Sequence, residues 1–324
     1  MTLTQNEKKT LNGKQVLITG AAGFIGSHLT KRLLIEGAKV HTLLLKDADI
    51  FRIKDIFSNL NVKYIDIRDY ESIRKYIREI KPQLIFHLAA LRDVSRELRL
   101  IDEMIDTNVK GTVNLLKAII EEKIPIEYFI NTGSCEEYGN GITPFSETNK
   151  EIPVSPYSAS KVASTYICNM LFRTYNIPIV TIRPFLTYGP SQDPDMFIPS
   201  LIIHCLKNKN FNMTDGYQTR EFNYIDDIIS AYIIAAKSSK IAGEIFNIGN
   251  GVEYSVKEVA CKIVRKMNTG IKLNFGSIPT RPGEAEHFYC DNQKARLMLG
   301  WTPSVNLEDG LQKTIEWYRC FYRF

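Results

Sequence analysis

A tyrosine and a lysine four residues apart, Tyr157 and Lys161 in the string YSASK, open a long stretch of helical character, SASKVASTYICNMLFRTY. Side chains at i and i+4 share one helix face, so the ammonium stands beside the phenol. A cation there favours phenolate, lowering the tyrosine pKa toward a range where it exchanges a proton with an alcohol near neutral pH. The pair alone also recurs on plain amphipathic surfaces. Upstream, TGSCEEYG at 132–139 follows the apolar run IEYFI and brings a hydroxyl, Ser134, a thiol, Cys135, and a carboxyl, Glu136, to the end of a strand. Ser134 suits the oxygen that interconverts between alcohol and ketone, with Cys135 a weak acid and Glu136 a potential base near the same carbon. Buried space-filling is the commoner fate of a lone cysteine, and Glu136 reads equally well as a solvated loop charge.

The element that must supply a partner for this chemistry lies near the N-terminus. KQVLITG ends a short apolar run, GAAGFIG at 20–26 follows, and SHLTKRLLIEG carries Leu29, Leu33 and Leu34 at helical spacing. In such a strand–turn–helix, Gly20 permits the bend, Gly23 lets main-chain N–H groups approach a pyrophosphate, and Gly26 lets the helix pack closely on the strand. The second strand, AKVHTLLL, ends on Leu44 and Leu45 where an acid usually meets the adenosine ribose. Lys46 and Arg52 just beyond would attract a 2′-phosphate, which favours NADP(H). NAD(H) stays open if Asp47 or Asp49 serves the ribose.

These strings together resemble the extended short-chain dehydrogenase/reductase family, whose members act on nucleotide-activated sugars; the likeness runs from about Lys14 to Tyr318. GAAGFIG matches its G-x-x-G-x-x-G, YSASK its Y-x-x-x-K, and Ser134 its Ser/Thr before the Y-G pair. The resemblance implies that Gly20, Gly23, Phe24, Ile25, Gly26, Thr132 and Pro184 hold the cofactor, with Asp66 and Ile67 of DIRD at the adenine. It adds Leu88, Ala89 and Ala90 of HLAA, Asn108 of NVKGTVNLL, and a hydrogen bond from Lys161 to the nicotinamide ribose. Arg220 in GYQTREFNYIDDI and Arg281 in RPGE map onto arginines that hold the sugar-nucleotide diphosphate, a role that suits a guanidinium fork. Leu186 departs from the family, where many relatives have asparagine. A homodimer through helices 103–122 and 157–176 is implied in the same way.

The expected fold is α/β, a Rossmann-like doubly wound parallel sheet with a smaller C-terminal substrate-binding lobe. Residues 1–13 read as a flexible lead, 14–185 as the NAD(P)-binding domain with a return segment near 221–251, and 186–324 as mostly substrate lobe. IFNIGNG at 245–251 is the returning strand. At 44% hydrophobic and 24% charged over 324 residues, the chain can bury a substantial core. Its formal charge of +5 is spread rather than clustered, which argues against nucleic acid. Six scattered cysteines without metal-ligand spacing point to a reducing cytoplasm, and no apolar run reaches membrane-spanning length.

Within the family the choice is among reductase, dehydratase, epimerase and decarboxylase. The missing strand-end acid favours a 4-keto-6-deoxy-sugar nucleotide reductase consuming NADPH. A 4,6-dehydratase or 4-epimerase is the alternative, and a non-catalytic NADP(H)-sensing protein the remote one. Typical dehydratases carry Thr-Asp-Glu where this chain has Ser134, Cys135 and Glu136, so the glutamate is kept and the aspartate lost.

Overall fold

A computed structural model describes residues 10–280 and 283–322. Strands and helices alternate through the first half: β1 (Gln15–Thr19), α1 (Phe24–Ile35), β2 (Lys39–Leu44), β3 (Asn61–Tyr64), α2 (Tyr70–Ile80), β4 (Leu84–His87). Then come α3 (Ile101–Met104), α4 (Gly111–Glu121), β5 (Tyr128–Thr132), α5 (Pro156–Tyr175) and β6 (Ile179–Pro184). The second half has shorter strands: β7 (Thr187–Tyr188), α6 (Phe197–Leu206), β8 (Phe211–Asn212), β9 (Thr219–Glu221), β10 (Asn223–Tyr224), α7 (Ile225–Lys237). It ends with β11 (Ile245–Ile248), β12 (Glu253–Ser255), α8 (Val256–Met267), β13 (Leu273–Asn274), β14 (His287–Phe288) and α9 (Leu307–Tyr322).

Seven strands form one parallel sheet in the order β11-β6-β5-β4-β1-β2-β3. Its strands are apolar on both faces because helices cover both. Val16, Ile18, Leu84, Phe86, Ile130 and Val180 pack on the α1/α7 side, whereas Leu17, Ile85 and Phe129 pack among α2 and α4. The strand order reverses between β1 and β4, which opens a crevice at the carboxyl ends of the strands. The returning strand pairs in register with β6, Ile245 opposite Thr181 and Ile248 opposite Pro184. At the other boundary, Leu11 is buried in the larger apolar cluster and the Gly13 N–H donates to the Gly37 carbonyl at 2.8 Å. Order therefore begins inside the stretch read as a flexible lead; residues 1–9 lie outside the described part.

The glycine turn is built by packing. Gly20 has φ 76°, a left-handed conformation that favours glycine, and a Cβ on Gly26 would lie 1.9 Å from the Gly20 carbonyl oxygen. Only glycine lets α1 approach this closely. Helices α3 and α4 run into one another through a widened π turn at Ile105–Lys110, which carries Asn108 inward.

The smaller lobe contains the β9, β12, β14 sheet, the β8–β13 pair, and helices α6, α8 and α9. The Asp227 carboxylate joins its C-terminal part to α7 by accepting from the Ser304 N–H and Oγ, at 2.9 and 2.7 Å, and the Val305 N–H, at 3.0 Å. Glu221 does the same for β9, accepting from the Cys290 N–H and the Gly251 N–H, each at 2.9 Å. Burial pushes its carboxyl up to about 7 against these hydrogen bonds. Between the unfolded carboxylate range and pH 7 the native state thus holds a proton that the unfolded chain has released. Stability from this group is present at acid pH and is lost as pH rises through 7, about 3 kcal/mol in all. Glu221→Gln should flatten the fall in the urea midpoint between pH 5 and 8; an unchanged slope would show that Glu221 does not titrate there.

Candidate active site

Tyr157 and Lys161 lie in the first turns of α5, whose start is set by Ser155: its Oγ accepts from the Ser158 N–H at 3.1 Å, Pro156 follows at the first helical position, and the Ser158 hydroxyl bonds back. Ser134 begins a short 3₁₀ turn after β5, its Oγ accepting from the Glu136 N–H at 3.1 Å. The α1 N-terminus has no side-chain cap and no acidic residue in its first turn, so its free N–H groups and positive dipole end are open to an anion.

These features meet in one cavity of about 310 Å³ along the carboxyl ends of β1, β4, β5 and β6. Gly20, Gly23, Phe24, Ile25, Gly26, Leu88, Ala90, Thr132, Pro184, Lys161, Tyr157, Ser134, Cys135 and Glu136 all line it. The other residues singled out by sequence stand elsewhere. Lys46 is exposed just beyond β2. The Asp66 carboxylate is held by the Arg68 guanidinium, with Arg68 Nε at 2.9 Å from Oδ2. Ile67 packs against Gly111. The Ala89 N–H donates to Thr19 Oγ1 at 3.2 Å. Asn108 holds the Leu91 backbone, its Oδ1 accepting from Leu91 N–H at 2.7 Å and its Nδ2 donating to Leu91 O at 3.0 Å. Arg220 donates to Glu284 Oε1 at 2.8 Å and lies outside the cavity lining. Arg281 falls outside the described residues.

Arg52 corrects an expectation. It does not project freely from the end of the second strand: its Nη2 donates to Asp193 Oδ1 at 2.5 Å and its Nε to the Ser191 carbonyl at 2.8 Å. A guanidinium so engaged would have to give up these bonds to read a 2′-phosphate.

The second correction concerns Tyr157. Desolvation pushes its phenol up to about 12, against a Ser134 hydrogen bond and the Arg92 charge that pull it down. The neighbouring ammonium does not reverse this, because burial disfavours the charged form of both groups: Lys161 is itself held below the ordinary lysine range, with Glu137 opposing. Burial, then the carboxylates of Glu136 and Glu221, push the Cys135 thiol well up, so it stays protonated. Burial and then the Lys161 charge push His87 down to about 3. Its role is to bridge Thr19 Oγ1, at 2.7 Å, and Thr112 Oγ1, at 2.9 Å. Since the Thr112 hydroxyl donates to the Asn108 carbonyl, the network assigns the His87 proton to Nε2.

Sequence reasoning missed part of the lining: Arg92, Val94, Phe185, Gln192, Asp193 and Met196. Arg92 donates to Met196 Sδ at 3.6 Å, across more than a hundred residues of sequence. An arginine two residues past the HLAA string was its only local signal.

Residues 17–314 match the family model described as GDP-mannose 4,6 dehydratase. The chain is 34% identical over 321 residues to the UDP-glucose 4-epimerase of Mycolicibacterium smegmatis, covering 94% of this chain and 98% of that one. It is 31% identical over 319 residues to the human dTDP-D-glucose 4,6-dehydratase, covering 94% and 90%. It spans about half, 48%, of a trifunctional Arabidopsis thaliana protein at 30% identity over 95% of its own length. The solved UDP-glucuronic acid 4-epimerase of Bacillus cereus, in complex with UDP-glucuronic acid and NAD, superimposes with a TM-score of 0.86 at 30% identity, covering 95% of this chain and 99% of that one. With fold, site and sequence in agreement over nearly its whole length, the chain belongs to the extended short-chain dehydrogenase/reductase family of nucleotide-sugar epimerases and dehydratases.

Proposed function

We propose that this chain is a nucleotide-sugar 4-epimerase that works with tightly held NAD. One observation carries this reading: Ser134, Tyr157 and Lys161 share a cavity with an uncapped helix N-terminus, while the position that would protonate a leaving hydroxyl holds a buried, protonated thiol, Cys135. Epimerisation needs the first three groups and no such acid. The residues fit a dinucleotide: the free α1 N–H groups suit its pyrophosphate, and Thr132, Lys161 and Pro184 lie at the far end of the same cavity. Bound there, NAD⁺ would supply a hydride acceptor at the sugar C4 and return the hydride to the opposite face.

The chain's own contribution is proton handling. Tyr157 takes the proton of the C4 hydroxyl as the C4–H bond breaks and a carbonyl forms, then gives it back when the C–H bond is remade. Ser134, whose side chain already pulls the Tyr157 phenol down, would hold the same oxygen. Lys161 stabilises the phenolate. Arg220 would meet the diphosphate of the substrate, a role that the family likeness gives to Arg281 as well. The exposed apolar side chains Ile101 and Ile105 on the α3 stretch and Tyr166 and Met170 on α5 support a homodimer. No helix among the described residues is long and apolar enough to cross a membrane; the scattered free cysteines support a cytoplasmic setting.

The 4-ketoreductase expected from the sequence is less well supported: the family model and the human, Mycolicibacterium and Bacillus relatives are 4,6-dehydratases or 4-epimerases, and among these proteins a 4-keto reductase occurs only as one of the three activities in the name of the Arabidopsis protein. The preference for NADP(H) rested partly on Arg52, whose partner is Asp193. A 4,6-dehydratase is the second reading, supported by Glu136, which lines the cavity where a base for the C5 proton would stand.

Purified protein should release NAD on denaturation and convert UDP-glucose or dTDP-glucose to the C4 epimer without external reductant. Protein that binds only NADPH and reduces a 4-keto sugar nucleotide would overturn the reading. Tyr157→Phe should lower turnover by ~10²–10⁴-fold with its melting curve preserved; near-normal turnover would remove Tyr157 from the mechanism. Cys135→Ala should keep most of the epimerisation. If it instead abolishes loss of water from a nucleotide hexose, the enzyme is a dehydratase.

A further inference from the structure

The turn that presents Ser134 is anchored by a buried cluster of charges. Arg183, at the end of β6, is wholly buried. Its Nε and Nη2 donate to Glu137 Oε2 at 3.0 and 2.6 Å, its Nη2 also to Glu151 Oε1 at 2.7 Å, and its Nη1 to Tyr138 Oη at 2.8 Å. The guanidinium also lies over the Tyr138 ring, 4.7 Å from its centre. The other oxygen of Glu137 accepts from the Ser134 N–H at 2.7 Å. Glu151 accepts from Tyr166 Oη at 3.1 Å, which ties the cluster to α5, the helix of Tyr157 and Lys161. There is no slack, since a Cβ on Gly133 would lie 2.6 Å from Glu137 Oε1.

We propose that Glu137 is a positioning residue: its buried carboxylate, shared between the Ser134 amide and the Arg183 guanidinium, fixes the Ser134 turn against the Tyr157 helix and supplies the negative charge that keeps Lys161 an ammonium. The proposal rests on the hydride-exchange reading of Ser134, Tyr157 and Lys161. Charge balance supports it. Glu137 and Glu151 carry two negative charges, and Arg183 can neutralise only one of them. The second positive charge is Lys161, buried and lining the same cavity as Gly133 and Ser134, the backbone that the Glu137 carboxylate holds. Its other neighbours leave Glu137 as the compensating group: His87, from β4, is neutral at working pH, and Cys168 and Tyr157, on its own helix, are held protonated by burial. Of the charges acting on Lys161, Glu137 is the carboxylate that favours the ammonium. An ion buried without a counter-charge is costly, so losing Glu137 reaches Lys161 even though its hydrogen bonds go elsewhere.

The test separates charge from contact. Glu137→Gln keeps the volume and an acceptor for the Ser134 N–H but removes the charge. The Lys161 ε-methylene, followed by ¹³C NMR in lysine-labelled protein and identified with Lys161→Arg, should titrate about one pH unit lower in this variant. With UDP-glucose as probe, kcat should fall about tenfold and its alkaline limb move to lower pH, while KM changes less than about twofold, because Glu137 does not touch substrate. Glu137→Asp, which is the safer variant for folding, keeps the charge and withdraws from Ser134. Lys161 should then titrate as in the wild type while kcat still falls. An unmoved Lys161 titration in folded Glu137→Gln, or wild-type kcat in Glu137→Asp, overturns the proposal. The NMR titration needs no turnover, so a chain inactive on UDP-glucose would refute the functional reading and leave this coupling to be read by itself.

Discussion

A guanidinium buried at the end of β6 sets the terms for this active site. A charge out of water is tolerated only when it is paired and its hydrogen bonds are filled, and Arg183 meets this with two carboxylates, a phenol and an aromatic face. Each partner comes from a segment that also carries catalytic geometry: Glu137 and Tyr138 from the Ser134 turn, Glu151 from the loop leading into α5. Satisfying one buried ion therefore locks together the two segments that carry Ser134 and Tyr157. Tyr138 extends the lock to the returning strand by donating to Asn247 Oδ1 at 2.8 Å.

The same dry surroundings set the protonation states. At the carboxyl ends of a parallel sheet covered on both faces, every charged form is disfavoured: the Tyr157 phenol and Cys135 thiol rise, while the Lys161 ammonium and His87 imidazolium fall. A thiol held protonated in such a place is a poor acid. The tyrosine meanwhile depends on charge brought close to it, and Lys161 and Arg92 lie within reach of it.

The smaller lobe is held together by contacts of the same kind. Glu221 and Asp227 act as buried acceptors for backbone N–H groups of distant loops, and Trp301 donates to the Asp227 carbonyl at 3.0 Å. Arg220, one residue before Glu221, is thereby held on a strand whose neighbour is pinned. A long side chain on so short a strand, three residues long, gains its fixed position from that support.

Features written in short spacings were legible in the amino-acid sequence: the strand–glycine turn–helix, the i,i+4 pair at 157 and 161, the strand end before Ser134, and the strand that returns at 245–248. Each depends on the local period of helix or strand, or on the room only glycine leaves, as at Gly26 against the Gly20 carbonyl. What the tertiary structure decided was which charges meet and how dry they are. Arg52 finds Asp193 across 141 residues and Arg183 finds Glu137 across 46, and neither separation has a period to betray it. The sequence singled out Glu136 and passed over Glu137, and it set Lys161 to lower the Tyr157 pKa. Pairing gave Glu137 its place and desolvation raised that pKa instead, because the energy of a charge depends on everything folded around it, whereas the direction of a side chain along a helix depends on only a few residues.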